Sequence, residues 1–265
     1  MTGGITIYLA RSCKASPNRI ELSNGTRLAN VSETASAVHG VVYEEGARLP
    51  REPWRQPTEQ ETKKLIVAEV PDRMATCVAI VRLPELSDDL QEAAGSPNPE
   101  SVEVGLLQSL RTVCKLGEPL HWIGPNTNPA NLKTVTINRD IGRYNGLHVD
   151  NWDQHEIDSR HLSTNRICIN TGKGYRYFLF LPLSLVDIAS ALAEEMGPDW
   201  AAPRRYTLIG RQFMERFPEV PVVRCRLAPG EAYIAPTENL VHDGSSVGQS
   251  EMDKQFTIRG HIRPR

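Results

Sequence analysis

The stretch Gly146-Leu147-His148-Val149-Asp150-Asn151-Trp152 decides how this 265-residue chain is read. In an extended segment side chains alternate faces, so His148 and Asp150 point one way and Leu147 and Val149 the other. An imidazole and a carboxylate then converge on one point, as two adjacent ligands of a single metal ion would. The third ligand expected is His242, in Asn239-Leu240-Val241-His242-Asp243-Gly244. The spacing alone carries little weight, since roughly one His-x-Asp/Glu arises by chance in a chain of this composition. Its surroundings decide.

Working outward, the chain from residue 132 reads as short strands. Residues 133–138 alternate, Gly142-Arg143-Tyr144-Asn145-Gly146 is a turn, and the His148/Asp150 stretch follows. Residues 165–170 and 175–183 are expected to form a hairpin across Thr171-Gly172-Lys173-Gly174. A helix is predicted over 184–196, with Ser184 and Asp187 at capping-box spacing and Gly197-Pro198 as its stop. A short helix is expected over 206–217, then strands at 220–227, 231–235 and 255–262. Upstream, 5–9 and 77–83 read as strands. Thr58 with Glu61 opens a helix over 58–70, and Asn98-Pro99 opens another that Gly117 should cap. Residues 84–99 are acidic and loop-like.

This pattern predicts one domain over 1–265. The class is α+β, mainly β, with a double-stranded β-helix (jelly-roll, cupin-like) core over 132–265 and flanking helices. Residues 1–131 are expected to supply strands and helices packed on that core. The metal ligands would sit near the barrel mouth, His148 and Asp150 after one strand and His242 on the loop before the last.

Composition narrows the function classes. Hydrophobic residues make up 40% and charged residues 23%, and the net charge of −2 leaves no electrostatic footprint for nucleic acid or an anionic membrane. The apolar run at 5–10 is too short for a signal segment or a membrane span. Five scattered Cys without paired spacing read as reduced thiols, which points to the cytoplasm.

In Leu227-Ala228-Pro229-Gly230-Glu231-Ala232-Tyr233-Ile234-Ala235-Pro236-Thr237, Pro-Gly turns the chain, an apolar strand follows and Pro236 ends it, with His242 just beyond. In the final strand Phe256, Ile258 and Ile262 share one face, and Thr257, Arg259 and His261 share the other. A guanidinium on an inward face needs an anion, because burying it alone is costly. A ligand carboxylate gripped by Arg259, with the Thr257 hydroxyl as a further donor, would supply one.

His-x-Asp, a distal His after a Pro-Gly strand and an Arg in the strand that follows resemble the Fe(II)/2-oxoglutarate-dependent dioxygenase superfamily, over residues 132–265. The resemblance implies that His148, Asp150 and His242 bind Fe(II) as a two-His, one-carboxylate facial triad. It implies that Arg259 and Thr257, with Asn138 nearby, bind 2-oxoglutarate, with Arg263 competing for the role of Arg259. Tyr144, Asn151 and Trp152 become candidates for contact with a small-molecule substrate. The implied reaction uses O2 to oxidise an unactivated C–H bond by hydroxylation, desaturation or cyclisation, with release of succinate and CO2. Natural-product or amino-acid biosynthesis is the expected setting. The carboxylate at Asp150 argues against halogenation, which needs a small residue there.

The other candidates have plainer readings. His155 and His161 fall in a polar loop, His121-Trp122 reads as packing, and Tyr175, Arg176 and Tyr177 read as cross-strand contacts. His261 is either a neighbour of the ligand site or structural, and Lys173 is exposed in its turn or a second carboxylate contact. Two other functions stay open: a peptide or protein hydroxylase with a groove between 85–99 and 243–254, and a cupin-like metal- or ligand-binding protein without oxygenase activity. Arg259 separates the last from the first. A nucleic-acid demethylase would want a basic, aromatic-rich stretch that the chain lacks.

Overall fold

The computed structural model describes residues 4–13, 18–35, 42–83, 99–197, 199–203 and 206–265. The expected loop at 84–98, the cap at Asn98 and the stop at Pro198 lie outside the described residues. In chain order the strands are β1 (Thr6–Leu9), β2 (Ile20–Leu22), β3 (Thr26–Leu28), β4 (Arg48–Pro50), β5 (Ile66–Val67), β6 (Cys77–Arg82), β7 (Cys114–Asn128), β8 (Ile137–Asn138), β9 (Arg143–Tyr144), β10 (Asn165–Asn170), β11 (Arg176–Ser184), β12 (Val223–Leu227), β13 (Glu231–Ala235), β14 (Leu240–Ser245) and β15 (Asp253–Pro264). Among the described residues the α-helices are α1 (Val31–Ala35), α2 (Glu59–Leu65), α3 (Pro99–Val113), α4 (Leu185–Met196) and α5 (Tyr206–Arg216). No helix among the described residues is long and apolar enough to cross a membrane.

Local chemistry explains several boundaries. Both expected capping boxes form: Thr58 with Glu61 at α2, and Ser184 with Asp187 at α4. Helix α2 stops before Ile66 because Ile66 and Val67 pair in parallel with Ile7 and Tyr8 of β1. Helix α3 is not capped at Gly117; the chain passes straight from Val113 into β7, a 15-residue strand that the sequence reading missed. Its polar, proline-bearing sequence is tolerated because β7 is an edge strand. Of the expected strand at 133–138 only β8 forms, paired with β9.

The architecture is α+β, mainly strands, with a large mixed sheet of order β5-β1-β6-β13-β10-β15-β7 and a four-stranded sheet of order β14-β11-β12-β2. Four of the large sheet's strands come from the first 131 residues, so that segment is woven into the sheet. The expected hairpin of β10 with β11 does not form. Strand β10 lies between β13 and β15, and β11 lies between β14 and β12, so residues 171–174 carry the chain from one sheet to the other.

Alternation along each strand builds three apolar layers. Cys168, Tyr233 and Ala235 of the large sheet meet Phe178, Phe180, Val223 and Cys225 of the small one. On the far side of the large sheet, Ile167, Ile169, Ala232, Ile234, Phe256 and Ile258 pack with Leu106 and Leu110 of α3. On the far side of the small sheet, Leu179, Leu181 and Val241 pack with Ile188 and Leu192 of α4 and Ile209 and Phe213 of α5. Arg259 and Thr257 therefore face the interior between the sheets, while Phe256 and Ile258 face α3, as the alternation predicts. His261 keeps the same parity but is exposed, and the register shift beside it falls in β7, where four residues are spanned against two of β15.

A buried ion cluster ties the chain's beginning to its end. Glu231 is fully buried, with Oε2 accepting from Arg19 Nη1 at 2.7 Å and from Ala228 N at 2.8 Å, and Oε1 accepting from Arg19 Nη2 and Arg82 Nη2 at 3.0 Å each. Burial works against the charged carboxylate, but the Arg19 and Ala228 hydrogen bonds outweigh it and hold Glu231 below its ordinary range. A depressed native value means the stabilisation is present above the ordinary carboxylate range and lost as pH falls through the lowered value. Glu231→Gln is expected to cost about 3–5 kcal/mol, because it strands the Arg19 charge. It should also flatten the acid side of the stability–pH profile in denaturant titrations; an unchanged slope would remove Glu231 from the acid response.

Candidate metal centre

Backbone hydrogen bonds build the site before any side chain contributes. Gly146 adopts φ +69°, and a Cβ there would lie 2.6 Å from the Arg48 carbonyl oxygen, so only glycine fits this entry to the segment. Leu147 N then donates to that same carbonyl at 2.9 Å. His148 and His242 form an antiparallel bridge, N to O at 3.0 Å in one direction and 2.8 Å in the other. Asp150 N donates to Thr237 O at 3.2 Å. Leu147 and Val149 join the apolar layer under α4 and α5, which turns His148 and Asp150 the opposite way. His242 sits within β14, not on a loop, its register fixed by pairing with Phe180.

The three side chains converge, and all are buried. His148 Nε2 lies 3.6 Å from Asp150 Oδ1, His242 Nε2 lies 3.7 Å from Asp150 Oδ2, and the imidazole centroids are 4.7 Å apart. One ligand atom from each residue lies within 4.8 Å of the others. Both rings present the same edge inward. Nδ1 of His148 meets Gly146 O at 3.0 Å, and Nδ1 of His242 meets Leu240 O at 3.3 Å. A carbonyl only accepts, so Nδ1 carries the proton in each neutral ring and Nε2 keeps a bare lone pair.

Nε2 of His148, Nε2 of His242 and Oδ2 of Asp150 are buried without a hydrogen-bond partner. Two unpartnered imidazole nitrogens, beside a carboxylate oxygen met only by the Arg166 charge at 2.9 Å, are costly unless something binds them. Two imidazoles and a carboxylate are a donor set that suits a divalent transition-metal ion, and a metal fits here. Asp243 supports the arrangement. Its Oδ1 accepts from Thr136 Oγ1 at 2.9 Å and from the amides of Val135, Thr136 and Gly244, while Oδ2 lies 3.4 Å from His148 Nδ1. A carboxylate behind a ligating imidazole orients the ring and raises its basicity.

The electrostatics of the two rings diverge. Burial alone would favour neutral His148, but contacts with Asp150 and Asp243 outweigh it and push its pKa up to about 10. His242 has the same burial without a hydrogen-bonded carboxylate and is held down to about 4. Asp150 is held far below the ordinary range; burial opposes this, and Arg166, His242 and His148 overcome it. The carboxylates of Asp150 and Asp243 thus favour positive charge on His148, while Arg166 and His148 keep it off His242.

The remaining sequence candidates fall into other surroundings. The Arg259 guanidinium pairs with Asp153 and with Glu238 Oε1 at 3.2 Å, donates to Thr164 Oγ1 at 2.9 Å, and lies 5.1 Å from the Trp152 ring centroid. The anion that an inward arginine requires is supplied here by the protein itself. Asn151 accepts from Arg160, which is buried and also donates to Asp150 O and Glu238 O at 3.0 Å each. Together these contacts fasten residues 150–164 against β15. Thr257 is buried on the interior face. Asn138 donates to Glu44 at 2.9 Å, and Tyr144 packs on Tyr43 in a separate small cluster, with centroids 5.9 Å apart. Trp152 is 55% exposed. Arg263 approaches Val70 O and Asp72 and does not enter the site.

Asp243, Glu238, Arg160 and Arg166 were not singled out from sequence. Asp243 had a usable signal in its position next to His242; the others meet partners that are distant in sequence. No protein-family model and no curated protein matches the chain.

Isothermal titration with Mn(II) is expected to show one tight site in the wild type and none in His148→Ala or His242→Ala. Asp243→Asn should keep the fold and weaken binding about 10–100-fold. Equal affinity in Asp243→Asn would detach that carboxylate from the site.

Proposed function

We propose that this chain is a non-haem Fe(II)- and 2-oxoglutarate-dependent oxygenase of the dioxygenase superfamily, with a double-stranded β-helix core, acting on a small molecule. The observation that carries the reading is the convergence of two unpartnered Nε2 atoms and one carboxylate, all buried and contributed by one face of two bridged segments. In this reading His148, Asp150 and His242 hold the metal on one face and leave the opposite face open. Gly146 O, Leu240 O and Asp243 keep the two rings aimed. Phe178, whose ring centroid is 5.8 Å from that of His242, forms part of an apolar wall that limits water. Bound Fe(II) with a chelated 2-oxo acid would let O2 act as the oxidant for C–H oxidation, one oxygen atom passing into succinate as CO2 is released and the other to the substrate or to water.

A second reading is a cupin-like metal- or ligand-binding protein without oxygenase activity. It is favoured by the engagement of Arg259 with Asp153 and Glu238, since holding a cosubstrate would require that guanidinium to exchange one carboxylate for another.

The deciding experiment is an anaerobic titration of the protein with Fe(II) and 2-oxoglutarate, watching for the visible charge-transfer band of a chelated 2-oxo acid. The oxygenase reading expects a band that needs both additions and vanishes in His148→Ala. Tight Fe(II) binding without a band would sink the oxygenase and leave the cupin-like protein. Arg259→Ala reports on the clamp: a weakened band keeps Arg259 as the carboxylate contact, and an intact band with lowered thermal stability assigns it to fastening residues 150–164.

A further inference from the structure

Three arginines project from the strands into the interior between the sheets, and two of them have a carboxylate of their own. Arg259 has Asp153 and Glu238. Arg176, fully buried, is forked onto Asp253, with Nε to Oδ1 at 2.9 Å and Nη2 to Oδ2 at 3.4 Å. Arg166, on β10 directly across from Arg259, is different. Among the described residues its one ion pair is with Asp150, Nη2 to Oδ2 at 2.9 Å, and its buried Nε has no partner. That approach is close but not aligned as a hydrogen bond, so charge holds the contact. Its guanidinium also contacts the Tyr233 hydroxyl, and Tyr233 is itself fixed by stacking on Phe178 with centroids 3.9 Å apart. A long, flexible cation is thereby held in place against a metal-ligand carboxylate.

We propose that Arg166 is a positioning residue that occupies one oxygen of Asp150 and restricts the carboxylate to single-oxygen metal ligation. This inference rests on the metal-centre reading above. Oδ2 lies 2.9 Å from Arg166 Nη2 and 3.7 Å from His242 Nε2, while Oδ1 faces His148 Nε2 at 3.6 Å with no guanidinium beside it. A carboxylate free to chelate would take a fourth position on the metal with its second oxygen. With Oδ2 held, the protein contributes three atoms on one face and leaves the other positions for exogenous ligands. Arg166 also places a positive charge next to the metal, so it opposes cation binding even as it shapes the site.

The two effects share a sign that a purely structural role would not produce. Removing Arg166 takes away a repelling charge and frees a ligand atom, so the metal should bind more tightly. Loss of a structural prop would make it bind more loosely. The test measures Mn(II) affinity of the full chain by electron paramagnetic resonance of the free ion, with circular dichroism melts as the control on folding. Arg166→Gln is expected to bind Mn(II) about tenfold tighter than the wild type. Arg166→Met, which removes the charge while keeping much of the volume, should move in the same direction and keeps the test alive if the Gln variant does not fold. Arg166→Lys restores the charge and should return the affinity towards the wild-type value. Unchanged or weakened Mn(II) binding in a folded Gln or Met variant, with the wild type binding normally, overturns the role of Arg166 and leaves the metal centre standing. A wild type that binds no Mn(II) overturns both.

Discussion

The site depends on one pair of backbone hydrogen bonds. His148 and His242 are far apart in the chain, and neither has a reason to meet the other until their amides and carbonyls exchange bonds at 3.0 and 2.8 Å. That bridge sets the two rings 4.7 Å apart, and strand alternation then carries Asp150 onto the same side as His148. Leu147, Val149 and Val241 enforce the orientation by burying their side chains under α4 and α5, so a slip of one residue would expose three apolar side chains and bury the wrong face. The fold thus fixes the site through apolar contacts on the opposite face, which leaves the ligand side chains free for polar chemistry.

Around this bridge the interior is organised by paired charges. Asp253 is matched by Arg176, Glu238 by Arg160 and Arg259, and Glu231 by Arg19 and Arg82. Each of these carboxylates is matched by at least one arginine, and the contacts can serve architecture alone. The cluster of His148, Asp150, His242 and Asp243 does not close in the same way. It keeps two buried imidazole nitrogens without hydrogen-bond partners, and one arginine, Arg166, reaches its Asp150 carboxylate. Imbalance of this kind distinguishes a site from a buried ion pair, because a protein stabilises what it can and leaves open what a ligand must complete.

Much of the site was legible in the sequence because it obeys local periodicity. The His148/Asp150 alternation, the strand Glu231–Ala235, the two-faced strand carrying Thr257 and Arg259, and the caps at Thr58 and Ser184 each follow from a few adjacent residues. What escaped was set at long range. Strands β10 and β11 looked like a hairpin because the turn between them has hairpin chemistry, yet each is claimed by partners in a different sheet. The anion expected for Arg259 turned out to be Asp153 and Glu238, which no local pattern connects to β15. Strand β7 hid behind prolines that only an edge can accommodate, and nothing local marks its register shift against β15. Arg166 sits in a strand whose apolar residues dominate its pattern, and its meaning appears only once Asp150 is placed beside it.

The central claim is that His148, Asp150 and His242 are ligands to a single ion, and anomalous diffraction from crystals grown with Mn(II) tests it most directly. The account predicts one strong anomalous peak within bonding distance of Nε2 of His148, Nε2 of His242 and an oxygen of Asp150. No peak between those atoms, with Mn(II) bound instead at exposed residues such as His161 or His261, would contradict it.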